Sequence, residues 1–254
     1  MRLKLIACKA LSRELSYILA LSKNTVDVTW IRQKYHDTPE ILHRTLQQEI
    51  DAVESEEDIH TNKLGFAADG EKDDFEAILL GYGLCSNAIL GLTAKKHKLV
   101  IPKAHDCITL LLGSKERYKE CFQSMPGCFW YTASWVENSD VPGEEYRKKQ
   151  EAYYRAKGYE DEVLEGLMEE VDGWTDNYES AAYIQMPFFD GEEYQAYAKR
   201  AAAYYNWNFH LVEGKTSLME RFVAGDWNEE DFLVLKPGET AEFSPENDVI
   251  KKAD

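Results

Sequence analysis

The chain has 254 residues, 44% of them hydrophobic, and a formal net charge of -17 at pH 7. A strongly acidic surface repels phosphate groups, which argues against nucleic acid or an anionic membrane as a partner. No apolar run approaches the roughly 20 residues of a membrane span, and the run after Met1 is too short for a secretory signal. We therefore expect a cytoplasmic protein whose five cysteines are thiols or ligands rather than disulfides.

Strand and helix patterns alternate from the start of the chain. Leu3–Ala7 has the continuous apolar character of a buried strand, and Leu11–Leu21 carries apolar residues at helical spacing. Thr25–Ile31 is rich in β-branched and aromatic residues, which is typical of a strand. A helix is predicted from Pro39, with Thr38 as its cap.

The alternation continues beyond a polar stretch, Glu54–Lys72, that predicts a loop. Ala77–Gly81 is the third predicted strand and Leu99–Ile101 is the fourth. A helix is expected to start at Cys107, because Asp106 can accept hydrogen bonds from the first backbone N–H groups of that helix.

Alternating strands and helices predict an α/β fold with a mostly parallel sheet and flanking helices, doubly wound and Rossmann-like. We place this domain at residues 1–136, ending with an aromatic strand at Gly127–Trp135. Residues 137–254 differ, since they are mainly helical and rich in tyrosine. Strand patterns return at Asn208–Val212 and Phe232–Leu235, and these strands either rejoin the sheet or form a second small α/β lobe.

Three cysteines each follow one of the predicted strands. Cys8 follows the first strand, Cys85 the third and Cys107 the fourth, and His105 lies two residues before Cys107. Parallel strands end at the same edge of a sheet, where open α/β sheets bind their ligands. We therefore expect the three thiols and the imidazole to meet at this edge.

Thiolates and imidazoles are ligands of zinc, so Cys8, Cys85, Cys107 and His105 would complete a tetrahedral metal site. If only the thiolates bind, an open coordination position remains. Such a site suits a zinc ion that activates a thiol or water, or an iron–sulfur cluster whose remaining iron meets a substrate. The spacing of the residues does not distinguish these cofactors. Each cysteine also lies near a predicted helix start, whose positive end is expected to favour the thiolate.

Two other interpretations stay open. In the first, the protein is a metal-free module that binds a ligand or a partner, and the cysteines are structural, because buried cysteines often pack as small hydrophobic residues. In the second, Cys85 or Cys107 is the nucleophile of a metal-free enzyme and His105 is its base. Cys121 and Cys128 lie outside the strand-end pattern, and no motif names a reaction.

Three segments carry a resemblance to a known family: Leu5–Lys9, Leu80–Asn87 and Pro102–Ser114. They are similar to the uncharacterised domain-of-unknown-function family 1638. The resemblance implies an α/β protein of an anaerobe, in a family often found beside corrinoid-dependent methyltransferase systems. It further implies an enzyme or accessory factor of anaerobic one-carbon metabolism, with a small-molecule substrate or a methyltransferase-system protein as its partner.

Overall fold

The structure is a computed structural model that describes residues 1–55, 74–245 and 249–253. The contacts between residues divide the chain into two compact units, residues 1–118 with 215–254 and residues 119–214. The domain boundary expected at residue 136 stays a prediction. The predicted loop Glu54–Lys72 lies outside the described residues from residue 56 onward.

The strands and helices follow each other along the chain in the order that the sequence predicted for its first part. The strands are β1 (Arg2–Cys8), β2 (Thr25–Ile31), β3 (Ala77–Gly81), β4 (Lys98–Pro102), β5 (Cys128–Tyr131), β6 (Ser180–Gln185), β7 (Asn208–Glu213), β8 (Phe232–Leu235), β9 (Ala241–Phe243) and β10 (Ile250–Lys252). The helices are α1 (Ser12–Leu21), α2 (Pro39–Glu54), α3 (Cys107–Leu112), α4 (Lys115–Ser124), α5 (Ala133–Asn138), α6 (Glu144–Ala156), α7 (Asp161–Asp172), α8 (Glu192–Tyr204) and α9 (Ser217–Ala224).

A mostly parallel sheet forms the centre of the first unit, with the strand order β2-β1-β3-β4-β8. The first four of the chain's strands pair in parallel, and β8 pairs antiparallel with β4. β1, β3 and β4 are buried along almost their whole length, as expected of a parallel sheet covered by helices on both faces. The predicted α/β fold class is confirmed.

A second parallel sheet, with the order β5-β6-β7, forms the centre of the second unit. Aromatic rings fill the core of this unit around Phe129, which explains the tyrosine-rich and tryptophan-rich composition of this part of the chain. The ring centroid of Phe129 lies 5.0 to 6.5 Å from those of Tyr131, Trp135, Trp174, Tyr178 and Trp207. Buried Tyr131 also donates its hydroxyl to the Pro142 carbonyl oxygen at 3.0 Å.

The two late strand patterns have different outcomes. Phe232–Leu235 rejoins the first sheet as β8, whereas Asn208–Glu213 becomes β7 of the second sheet. The aromatic strand expected to reach Trp135 ends at Tyr131, because the Thr132 hydroxyl accepts a hydrogen bond from Trp135 N and caps α5. Thr38 is the N-cap residue of α2, as predicted, but its hydroxyl donates to the Tyr35 carbonyl oxygen instead of accepting a hydrogen bond from the helix. Within the described residues, no helix combines the length and apolar character needed to cross a membrane.

A buried carboxylate joins the end of α2 to the segment that leads into β4. Glu54 accepts hydrogen bonds from the backbone N–H groups of Lys95 and Lys96, each at 2.7 Å, and of His97 at 3.2 Å. His97 Nδ1 lies 2.7 Å from Glu54 Oε1. Burial alone would raise the pKa of Glu54, but the hydrogen bonds from His97 and the three N–H groups outweigh it, so the pKa is lowered. The charged carboxylate therefore stabilises the turn before β4.

We expect Glu54→Gln to lower the free energy of unfolding at pH 7 by about 1–3 kcal/mol, because the amide offers only one acceptor oxygen to these buried donors. A carboxyl whose pKa is lowered on folding stabilises the protein above its unfolded-state pKa, and this stabilisation is lost as the pH falls through the folded-state value. The difference between wild type and Glu54→Gln should therefore shrink at acidic pH. Urea unfolding across this pH range measures it.

Asp51→Asn is the matched control, because Asp51 is an exposed acid in the last turn of the same helix. It should change the free energy of unfolding by less than about 0.5 kcal/mol. A destabilisation by Glu54→Gln that stays the same at neutral and acidic pH would show that the carboxylate charge is not the stabilising factor.

Candidate functional site

The carboxyl ends of β1, β3 and β4 lie side by side at one edge of the first unit's sheet. The parallel register pairs Ala7 with Gly81, so that Cys8 and Tyr82 are the next residues along these neighbouring strands. β3 pairs in turn with β4, whose carboxyl end leads to Cys107. The strand order thus brings the three predicted thiol positions to one edge of the sheet.

Backbone hydrogen bonds hold together the two loops that follow β3 and β4. Leu84 N–H donates to the Ala104 carbonyl oxygen at 2.7 Å, and Cys85 N–H donates to the His105 carbonyl oxygen at 3.2 Å. The segment that carries Cys85 therefore runs directly beside the segment that leads into Cys107.

Close packing and backbone strain mark the same loops. A Cβ on Gly83 would lie 2.6 Å from Asp106 Cα and 2.7 Å from Asp106 N, so only glycine allows this approach. Cys85 has a φ of 35°, a conformation that costs a non-glycine residue about 1–3 kcal/mol and is found mostly at functional sites. The surrounding fold therefore places the Cys85 thiol at an energetic cost.

The three thiols interact electrostatically with one another. Burial is the largest cause of a raised pKa at each: to about 11 for Cys8, to about 12 for Cys85, and well above the ordinary value for Cys107. Negative charge on Cys8 would raise the pKa of both Cys85 and Cys107 further, and Asp106 acts on these two in the same direction. The structure thus brings the three predicted cysteines within electrostatic reach of each other.

The direction of these pKa shifts corrects one expectation from the sequence. Helix starts near Cys8, Cys85 and Cys107 were expected to favour the thiolates, but burial outweighs that effect. In the metal-free protein the three thiols are therefore protonated at neutral pH. Cys8 is only 9% exposed, and Cys85 and Cys107 are half-buried.

Asp106 caps α3, as the sequence predicted. Its Oδ1 accepts hydrogen bonds from Ile108 N at 3.0 Å and Thr109 N at 3.2 Å, and its Oδ2 accepts one from the Tyr118 hydroxyl at 3.1 Å. His105 is exposed, and its ring stacks on the Tyr118 ring with centroids 5.5 Å apart. The role of His105 as a fourth ligand stays a prediction.

Two buried polar atoms at this edge have no hydrogen-bond partner among the described residues: Tyr82 Oη and Gln33 Oε1. Tyr82 is 3% exposed and Gln33 is 6% exposed. Gln33 begins the 3-10 turn Gln33–Asp37 after β2, which packs against the 3-10 turn Cys85–Asn87. Two buried polar atoms without a partner among the described residues therefore lie near the loops that carry the thiols.

Tyr82 is the residue that sequence reasoning missed. Its hydroxyl interacts electrostatically with the thiols of Cys8, Cys85 and Cys107, and burial, the largest cause, raises its pKa well above the ordinary value. The signal in the sequence was an aromatic residue between Gly81 and Gly83, directly after a buried strand and level with Cys8 in the register.

In residues 1–55, 74–245 and 249–253, no group of three or more His, Cys, Asp or Glu side chains is arranged to hold a metal ion. A metal bound by Cys8, Cys85 and Cys107 would therefore need these side chains to turn toward a common point. Cys121 and Cys128 belong to the second unit, and burial raises the pKa of Cys128 to about 12.

A family model described as "Protein of unknown function (DUF1638)" matches residues 30–223 of the chain. The matched segment includes Cys85, His105 and Cys107, whereas Cys8 precedes it. No curated protein and no solved structure matches the chain. Because the match covers well over half of the sequence, the chain belongs to DUF1638, an uncharacterised protein family.

Proposed function

We propose that Cys8, Cys85 and Cys107 form a thiolate site that binds zinc or an iron–sulfur cluster at the carboxyl edge of the first unit's sheet. The observation that carries this proposal is the strand order, which places Cys8, Cys85 and Cys107 at one edge of the sheet together with the buried, unpaired hydroxyl of Tyr82. A single cysteine at a strand end is usually a packing residue. A bound metal would explain why three of them follow neighbouring strands at the same edge.

The donor set agrees with this chemistry. Thiolates are the usual ligands of both structural zinc and iron–sulfur clusters, and His105 is the candidate fourth ligand. The thiols are neutral while the site holds no cation, and a bound cation would favour the thiolates over the thiols. Binding would therefore couple metal uptake to proton release.

The wider role that we propose is that of an enzyme or accessory factor in anaerobic one-carbon metabolism, acting in corrinoid-dependent methyl transfer in the cytoplasm. This part rests on the family resemblance and on the composition of the chain. A zinc ion with an open coordination position would supply Lewis-acid activation of a thiol or water, and a cluster would supply a Lewis-acidic iron or electron transfer. The partner would be a small-molecule substrate or a methyltransferase-system protein.

A metal-free module that binds a ligand or partner, with structural cysteines, is the second candidate. The raised pKa values of Cys8, Cys85 and Cys107 favour it, because neutral buried thiols pack as small hydrophobic groups. In that case the unpaired atoms of Tyr82 and Gln33 would bind the ligand directly. The two candidates differ in metal content and in proton release.

Protein purified without oxygen should contain either about one zinc ion per chain or iron with visible absorption. Because each thiolate is a ligand, Cys85→Ala and Cys107→Ala should lose most of this metal, and Cys8→Ala should reduce it. Elemental analysis together with an absorption spectrum measures both cofactors. Cys121→Ala, a partly exposed cysteine of the second unit, is the matched control and should keep the metal.

Wild-type protein without metal, or metal that stays in both Cys85→Ala and Cys107→Ala, would overturn the metal proposal. The first of these results would favour the metal-free module. The second would place the metal elsewhere in the chain.

Zinc added to the metal-free protein near neutral pH should release up to about three protons, because thiols with raised pKa values must lose their protons to bind it. The apparent affinity for zinc should therefore rise with pH across the neutral and mildly alkaline range. Calorimetry in buffers of different ionisation enthalpy counts the protons. Cys85→Ala should release about one proton fewer, and a wild-type protein that binds zinc without proton release would contradict the thiol assignment.

Gly83→Ala should destabilise the protein by about 1–3 kcal/mol, because its Cβ would collide with the Asp106 backbone and force the two loops apart. The variant should also bind metal more weakly, since Cys85 and Cys107 lie on these loops. Thermal unfolding and metal titration measure the two effects. Gly166→Ala is the matched control, because a Cβ at Gly166 in α7 meets no atom within 4 Å, so that the substitution should stabilise the helix slightly. Equal stability and metal affinity of Gly83→Ala and wild type would refute the role of this contact.

A further inference from the structure

We propose that the Tyr82 hydroxyl donates a hydrogen bond to a metal-bound thiolate sulfur in the loaded site. This inference rests on the proposed function and makes Tyr82 a positioning residue of that site, which tunes the sulfur ligands without binding the metal itself. It also explains why a phenol is buried there without a partner.

The Tyr82 hydroxyl is buried and has no hydrogen-bond partner among the described residues. A buried hydroxyl without a hydrogen-bond partner destabilises a fold, so native structures rarely keep one without a reason. Tyr82 is 3% exposed and its Oη has no partner among the residues that the structure describes. The buried phenol of Tyr131, by contrast, donates to the Pro142 carbonyl oxygen, whereas Tyr205 Oη in the second unit also has no partner among the described residues.

Tyr82 lies at the same edge of the sheet as the three cysteines. Its predecessor Gly81 pairs with Ala7 in the parallel register, so Tyr82 is level with Cys8 at the edge of the sheet. The hydroxyl interacts electrostatically with Cys8, Cys85 and Cys107 together. The unpaired phenol therefore lies at the same edge of the sheet as the three thiols.

The proposed metal-loaded site would carry a net negative charge. A divalent metal with three thiolates carries one net negative charge, and the carboxyl of Asp106 acts on Cys85 and Cys107 in the same sense. Negative charge in a partly buried site needs hydrogen-bond donors. A neutral phenol can donate to sulfur without adding charge, and such outer contacts tune both metal affinity and the electronic properties of sulfur ligands.

The test compares Tyr82→Phe with wild type in the metal-free and metal-loaded forms, using cobalt(II) as the probe and zinc as its competitor. In the metal-free form, Tyr82→Phe should not lower the melting temperature, since the hydroxyl that it removes has no partner. In the loaded form it should weaken metal affinity by about tenfold and shift the sulfur-to-cobalt charge-transfer absorption, because a donor to the thiolate is lost. A structural role alone would not move that absorption.

Tyr131→Phe is the matched control, because it removes a buried hydroxyl that does have a partner. It should lower the melting temperature of both forms and leave the charge-transfer absorption unchanged. Tyr82→Phe should thus change the absorption but not the melting temperature of the metal-free form, whereas Tyr131→Phe should change the melting temperature but not the absorption. This difference distinguishes a hydroxyl that acts on the metal site from one that stabilises the fold.

Three results would overturn the inference, and they are distinguishable. If wild type and Tyr82→Phe bind cobalt with equal affinity and identical spectra, the hydroxyl has no role at the metal, and the proposed function stands. If Tyr82→Phe unfolds without metal, the hydroxyl serves the metal-free fold instead. If wild type binds neither cobalt nor zinc, the proposed function itself fails and the inference fails with it.

Discussion

The parallel pairing of β1 with β3, and of β3 with β4, is the constraint on which the candidate site depends. These strands are distant in sequence, and only their order in the sheet places Cys8, Cys85 and Cys107 at one edge. All three strands are apolar and buried along almost their whole length, so they occupy the interior of a sheet that is covered on both faces. The hydrophobic core of the first unit and the geometry of its thiols are therefore parts of the same packing arrangement.

Burial affects both the three thiols and the Tyr82 hydroxyl at this edge of the sheet. It keeps the three thiols neutral, which avoids placing several negative charges close together in a poorly solvated environment. It also leaves the Tyr82 hydroxyl without a hydrogen-bond partner among the described residues. Both effects would be reversed by a cation, which favours thiolates and thereby creates acceptors for the phenol. In the proposed metal-loaded site, a thiolate sulfur would accept the hydrogen bond that the Tyr82 phenol lacks in the metal-free protein.

The sequence predicted β1 to β4 and the position of the three cysteines after β1, β3 and β4 well, because buried parallel strands are continuous apolar runs that stand out between polar segments. It did not predict β6, since Ser180–Gln185 contains two adjacent alanines and is held as a strand by pairing on both sides. It predicted the direction of the thiol pKa shifts wrongly, because burial is a property of the packed structure. The unpaired state of Tyr82 was hidden for the same reason: composition and spacing do not show which polar atoms find partners.

The discontinuity of the first unit has a consequence for the order in which the chain can fold. β8 pairs with β4, yet residues 119–214 of the second unit lie between them in sequence. During synthesis the outer edge of β4 stays open until the second unit has been made, and an open strand edge is a template for pairing with other chains. The second unit is continuous in sequence, so it can form its own sheet and aromatic core during this interval. The strand that closes the first sheet can therefore pair with β4 only after all of the second unit has been synthesised.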